Sequence, residues 1–150
     1  MIEVKNLKIS FGDLHVLKDV SINIKKGEKI VVIGPSGSGK STFLRCLNRL
    51  ENPDGGDILF EGTNLTNPET NLDICRQKMG MVFQHFNLFN NKTVIKNIML
   101  APIIVEKKRM RSLRFKNPNN EVIKSSKQIK AECYEKAMEL LKRIGLEDKA

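Results

Sequence analysis

Gly34-Pro35-Ser36-Gly37-Ser38-Gly39-Lys40-Ser41 is the stretch whose reading decides the fold. It fits G-x-x-x-x-G-K-[ST], a loop whose backbone N–H groups close around phosphate. Glycines at 34, 37 and 39 let the main chain curl with its N–H dipoles converging on an anion. In such a loop Lys40 places a cation on the β- and γ-phosphates, and Ser41 offers a hydroxyl to Mg²⁺. The flanks agree with the motif. Lys29-Ile30-Val31-Val32-Ile33 reads as a buried parallel strand entering the loop. Ser41 to Leu50 reads as a helix leaving it, with Phe43, Leu44, Leu47 and Leu50 at helical spacing. The N-terminus of that helix adds its dipole to the phosphate site.

Upstream of the loop, residues 2 to 33 read as β-structure: Ile2, Val4, Leu7 and Ile9 stand among polar residues, and Val20, Ile22 and Ile24 alternate. Lys26-Gly27 turns the chain toward the loop. Downstream, Asn52-Pro53-Asp54-Gly55-Gly56 is a turn, because Pro sets φ and Gly admits positive φ. Asp57 to Phe60 is a short strand that ends at Glu61-Gly62. Met79-Gly80-Met81-Val82-Phe83 reads as a second buried strand, ending at Gln84. Thr93 is an N-cap for a short helix carrying Val94, Ile95, Ile98 and Met99. Residues 106 to 126 lack periodicity, and Asn117-Pro118-Asn119-Asn120 is a loop signal. A last helix is expected from Lys127 to Ile144, with Ile129, Cys133, Ala137, Leu140, Leu141 and Ile144 on its apolar stripe. Gly145 suits the position just past its end, with Leu146 placed for the contact after it. No internal repeat is visible.

The 150 residues are the size of one domain, enough to bury about 70% of the unfolded surface. No run of 18 apolar residues predicts a transmembrane helix, and the first residues lack the apolar core of a signal peptide. Cys46, Cys75 and Cys133 are odd in number and widely spaced, which predicts reduced, inert thiols rather than a disulfide framework or metal site. His15 and His85 are too few for a histidine metal centre. The net charge of +9 is uneven: residues 106 to 130 hold nine basic side chains against Glu106 and Glu121. A basic patch attracts nucleic acid or an anionic membrane surface. Only Phe115 interleaves with the charge, which weakens a nucleic-acid reading. The segment reads first as a solvated insertion.

Beyond the loop itself, Leu17-Lys18-Asp19-Val20-Ser21-Ile22 with Gly27-Glu28, the aromatic Phe11, and Gln84 at a strand end resemble the ATP-binding subunit of an ATP-binding cassette (ABC) transporter. Leu44-Arg45-Cys46-Leu47-Asn48-Arg49-Leu50-Glu51, Val82 to Phe89 and Ala101-Pro102 resemble, within that family, the importers of polar amino acids such as glutamine and histidine. The resemblance covers residues 1 to about 105 and resumes from about 130 to 150. It implies an α/β fold: a P-loop NTPase (RecA-like) core with an antiparallel β subdomain over residues 1–85, and the start of a helical subdomain over 86–150.

The resemblance also implies roles. Phe11 matches the aromatic residue that stacks on adenine, with Val16 beside it. Gly34, Pro35, Ser36, Gly37, Ser38, Gly39, Lys40, Ser41 and Thr42 match the phosphate cradle of ATP. Ser41 and Gln84 match the protein ligands of Mg²⁺, and Lys40 and Gln84 the catalytic positions. An amide such as Gln84 accepts from water and donates to oxygen without titrating. Residues 85 to 97 match the surface that meets the permease subunits in the membrane, and Phe86, Leu88 and Phe89 are apolar for a solvated loop. Homodimerisation of the full-length subunit, indirect work with an extracytoplasmic substrate-binding protein, and a peripheral place on the cytoplasmic face of the membrane follow from the same resemblance.

Two departures stand out. The basic segment 106–126 is longer than the family pattern suggests, and reads as an element near the membrane face. The signature motif Leu-Ser-Gly-Gly-Gln, the following strand with its Mg²⁺-binding Asp and catalytic Glu, and the switch His are not among the 150 residues. The expectation is therefore a truncated form that binds ATP without turnover. The competing readings are a soluble ABC-type ATPase acting on nucleic acid and a non-catalytic nucleotide-binding remnant.

Overall fold

The computed structural model describes residues 1–116 and 123–150. The Asn117–Asn120 loop signal lies outside them. The chain divides into two compact units, Met1–Val82 and Phe83–Ala150.

In the first unit, alternating apolar residues build the hairpin of β1 (Ile2–Phe11) and β2 (Leu14–Ile24), paired antiparallel. A two-residue turn joins them, with Gly12 at φ +59°. The helix α1 (Lys40–Leu47) follows the glycine-rich loop. The strands β3 (Gly55–Phe60) and β4 (Thr63–Asn64) complete a sheet ordered β2-β1-β3-β4. Val4 faces Ile22 on one side and Ile58 on the other, which makes β1 an inner strand. Gly56, at φ +89°, lies against the Lys5 and Asn6 carbonyls, where any Cβ would collide. A five-residue helix α2 (Leu72–Arg76) starts at Asn71, whose side chain accepts from Ile74 N–H. Val4, Leu7, Ile9, Leu17 and Ile58 of the sheet pack with Phe43 and Cys46 of α1 to form the core.

Two expectations are corrected here. Lys29–Ile33 and Met79–Phe83 form no strands. Val31 and Ile33 are 81% and 86% exposed rather than buried. A parallel strand has no hairpin neighbour; it needs a partner delivered by a crossover connection. Among the described residues the only sheet is the antiparallel one, and it presents no strand to either segment. Burial of an apolar run depends on its neighbours, and among the described residues no strand pairs with either segment.

In the second unit, α3 (Val94–Lys116) and α4 (Ser126–Arg143) pack together, and a single 3₁₀ turn covers Glu147–Lys149. Ile95 meets Ala137 and Leu141, while Met110 meets Ile129 and Cys133, so the helices run antiparallel. The short helix expected after Thr93 is instead 23 residues long and passes through Pro102. The reading of 106–116 as aperiodic is corrected with it. Ile95, Met99, Ile103, Met110 and Leu113 recur on one face and pack on α4 or its neighbours. Tertiary packing of that face, more than propensity, holds a helix together, and it outweighs the lost N–H of one proline. The ends of α4 are closed chemically. Ser125 Oγ accepts from Gln128 N–H at 3.2 Å while Ser125 N–H donates to Gln128 Oε1 at 2.8 Å, a reciprocal cap. At the other end Gly145 adopts φ +69°, and the N–H groups of Leu146 and Gly145 donate to Leu141 O and Lys142 O.

Candidate functional site

The glycine-rich loop delivers the chain into α1 at Gly39, which adopts φ +87°. A Cβ there would stand 2.8 Å from Val16 Cγ1 and 3.2 Å from Leu17 Cδ2. Only glycine therefore lets β2 pass this close to the loop. That close approach fixes the hairpin end of the sheet, with Phe11 and Val16, beside the loop. The result is one open cavity of about 380 Å³ lined by Phe11, Val16, Ser36, Gly37, Ser38, Gly39, Lys40, Ser41 and Thr42. Its volume lies within the roughly 300–1,000 Å³ of ordinary small-molecule sites. Phe11 is about half exposed, so its ring is available to a ligand rather than spent in the core.

The polar end of the cavity is built for an anion. α1 opens with no side-chain cap and no acidic residue in its first turn. Among the described residues, the first α1 N–H to find an acceptor is that of Phe43, donating to Gly39 O at 2.8 Å. The N–H groups before it are the orphans that an anion at a helix N-terminus satisfies. Lys40 Nζ donates to Gly34 O at 2.9 Å and to Pro35 O at 2.6 Å, so the ammonium bridges the loop's entry. Gly34 and Pro35 thus act through their carbonyls, behind the cavity lining. Ser36, Ser38, Ser41 and Thr42 bring hydroxyls to the lining. Among the described residues no cluster of three His, Cys, Asp or Glu is placed to hold a metal. Beneath the loop, burial pushes the Cys46 thiol up to about 11, with Glu51 adding to the shift. It stays protonated and packs as a small hydrophobe.

The structure brings together Phe11, Val16 and residues 36–42. Gln84 belongs to the second unit, in an irregular segment. In that unit Phe86, Leu88 and Phe89 are exposed, so they do not fold back on a core. One residue the sequence reading missed organises this loop. Asn97 Oδ1 accepts from Phe89 N–H at 2.8 Å, and its Nδ2 donates to Phe89 O, Lys92 O and Thr93 O. No sequence pattern singles it out: it is a second polar residue, after Lys96, in the first turn of α3. Lys92 Nζ stands 5.9 Å from the Phe89 ring centroid, within cation–π range.

Comparison with known proteins narrows the class. The family described as "ABC transporter" matches residues 17–150. The arginine transport ATP-binding protein ArtM of Bacillus subtilis is 49% identical, over 99% of this chain and 54% of its own length. The glutamine transport ATP-binding protein GlnQ of the same organism is 42% identical over 100% of this chain and 54% of its own length. The chain thus spans about half the length of these curated relatives. Among solved structures, the dimeric ABC transporter cassette MJ0796 superposes with a TM-score of 0.62 at 27% identity, covering 99% of this chain and 84% of that one. The same cassette in a post-hydrolysis state bound to ADP and Pi gives 0.59 at 29%, with the same coverage.

Proposed function

The chain belongs to the ABC transporter family, and from that premise we propose that its first unit is the ATP cradle of an amino-acid importer's ATP-binding subunit. The observation that carries the reading is the single cavity in which an exposed aromatic ring, Phe11, faces an uncapped helix N-terminus across the glycine-rich loop. Adenine stacks on Phe11 with Val16 at its edge. Such stacking contributes about 0.5–1.5 kcal/mol beyond area burial, enough to orient a base. The orphan N–H groups of α1 and Lys40 take the phosphates. Lys40 exchanges its two carbonyl acceptors for phosphate oxygens, which are better partners because both are charged. Ser41 is the proposed protein ligand of Mg²⁺ in this unit; the ion would neutralise phosphate charge when bound.

The cavity lining holds no carboxylate. Its residues bind and polarise; none is a base. The proposal for this cavity is therefore the binding of ATP. The names of the relatives, arginine and glutamine transport proteins, support a polar amino acid as cargo. The exposed Phe86, Leu88 and Phe89 support residues 85–97 as the permease-facing surface. The dimeric cassette supports pairing of two full subunits. No helix among the described residues is long and apolar enough to cross a membrane; a peripheral place at the cytoplasmic face, held by the permease, is proposed from the family alone. The nucleic-acid alternative has only the basic charge behind it.

Thermal unfolding with and without Mg-ATP tests the cradle. Ligand at 100 times its dissociation constant stabilises the native state by about 2.7 kcal/mol. The expected result is a rise in the transition for the native chain that disappears in Lys40→Ala. A rise that survives Lys40→Ala would overturn the assignment.

A further inference from the structure

The first part of the basic run lies within α3, and three of its cations share one face of that helix. At about 100° per residue, Arg114, Lys107, Arg111, Ile104 and Phe115 fall within an arc of roughly 100° on that helix. No acidic residue shares the arc: Glu106 lies on another face, where it pairs with Arg109 at 3.3 Å. Met110 and Leu113, on the inner side, pack in the cluster with Ile129 and Cys133 of α4. Lys107, Arg111 and Arg114 make no ion pair among the described residues. Phe115 is 92% exposed, and Ile104, three turns earlier on the same side, is exposed too. Under the cations lies an open cavity of about 200 Å³, floored by Met110 and Ile129 and edged by Lys124 and Ser126 of the α4 start. Lys124 Nζ is held by Glu132 at 2.6 Å, so three cations are left to face outward.

We propose that this face of α3 docks on an anionic phospholipid bilayer, with headgroup phosphates in the basic cavity and Phe115 in the interface. The argument is charge complementarity joined to an exposed aromatic side chain. A free anion would satisfy the cations but leave Phe115 and Ile104 in water. An interfacial helix instead combines a Lys/Arg-rich side with an aromatic residue that enters the headgroup boundary. Each cation near such a surface strengthens attachment by about fivefold, so three give roughly a hundredfold. The site rests on the second unit alone and does not depend on the nucleotide cradle.

Sedimentation of the full chain with vesicles reads it directly. Vesicles of phosphatidylcholine and phosphatidylglycerol in equal parts are expected to retain the chain, and retention falls as salt rises. Vesicles of phosphatidylcholine alone are expected to retain little. The triple variant K107Q/R111Q/R114Q should lose about a hundredfold in affinity. Phe115→Ser should lose roughly tenfold while keeping the salt dependence. All four positions are on the outer arc, and circular dichroism of each variant confirms that α3 and α4 remain folded. Equal retention by both vesicle types, undiminished binding by the triple variant, or loss of vesicle binding to competing duplex DNA or inorganic phosphate at constant ionic strength would each overturn the proposal.

Discussion

Ile58 and Val31 are both β-branched, and both lie in apolar runs of the same unit. Ile58 is fully buried, while Val31 is 81% exposed. Ile58 sits in β3, directly opposite Val4 of β1, with Leu65 N–H donating to its carbonyl at 2.7 Å. Val31 belongs to a run of higher local β-propensity, yet no strand stands beside it among the described residues. A strand is stabilised by cross-strand pairs and by the face it covers. Composition alone does not bury it. The contrast predicts the largest mutational effect in the molecule away from the nucleotide site. Ile58→Ala removes packing from the core centre and is expected to destabilise the first unit by about 2–5 kcal/mol, read by urea denaturation. A loss under about 1 kcal/mol would mean that the sheet core is loosely packed and that the two segments differ less than their burial suggests.

The second unit offers a sharper version of the same contrast, because its helices close their own ends. Ser125→Ala removes the oxygen that accepts from Gln128 N–H but leaves the return bond from Ser125 N–H to Gln128 Oε1. The expected cost is about 1 kcal/mol, seen as a lower transition in helix signal. No measurable cost would mean that the packing of α3 on α4, rather than the cap, sets where α4 begins.

Legibility followed the range of the interactions involved. β1, β2, β3, α1 and α4 were readable because their patterns are local: alternation at Val20, Ile22 and Ile24, helical spacing from Phe43, and the Gly145 stop after α4. The glycine-rich loop was readable as a motif, and the geometry places it at an uncapped helix start. What failed depended on distant partners. Lys29–Ile33 and Met79–Phe83 were assigned as strands from composition, which carries no information about who pairs with them. The pattern after Thr93 predicts only a short helix, since the face of α3 that packs on α4 is visible only when both helices are laid together. At the site, no pattern announced that Gly39 is required by Val16 and Leu17, or that Asn97 clasps the loop at Phe89. Phe11 and Val16 came from family resemblance, and the cavity then placed them beside the loop.

The smallest effect is expected at Val31 itself, and it is the most informative about the comparison. Val31→Thr keeps the shape and the β-propensity while replacing one methyl with a hydroxyl. At a buried strand position that hydroxyl would need a partner, and leaving it without one costs about 1–3 kcal/mol. At an exposed position it meets water, and the change should stay within about 0.5 kcal/mol. The same substitution lowers the apolar character of an exposed run, which otherwise favours association between chains. Val31→Thr is thus expected to leave the urea midpoint unchanged while reducing concentration-dependent association in light scattering. A destabilisation above about 1 kcal/mol would show that Val31 is covered in solution, and the difference between it and Ile58 would then lie in the partner strand rather than in exposure.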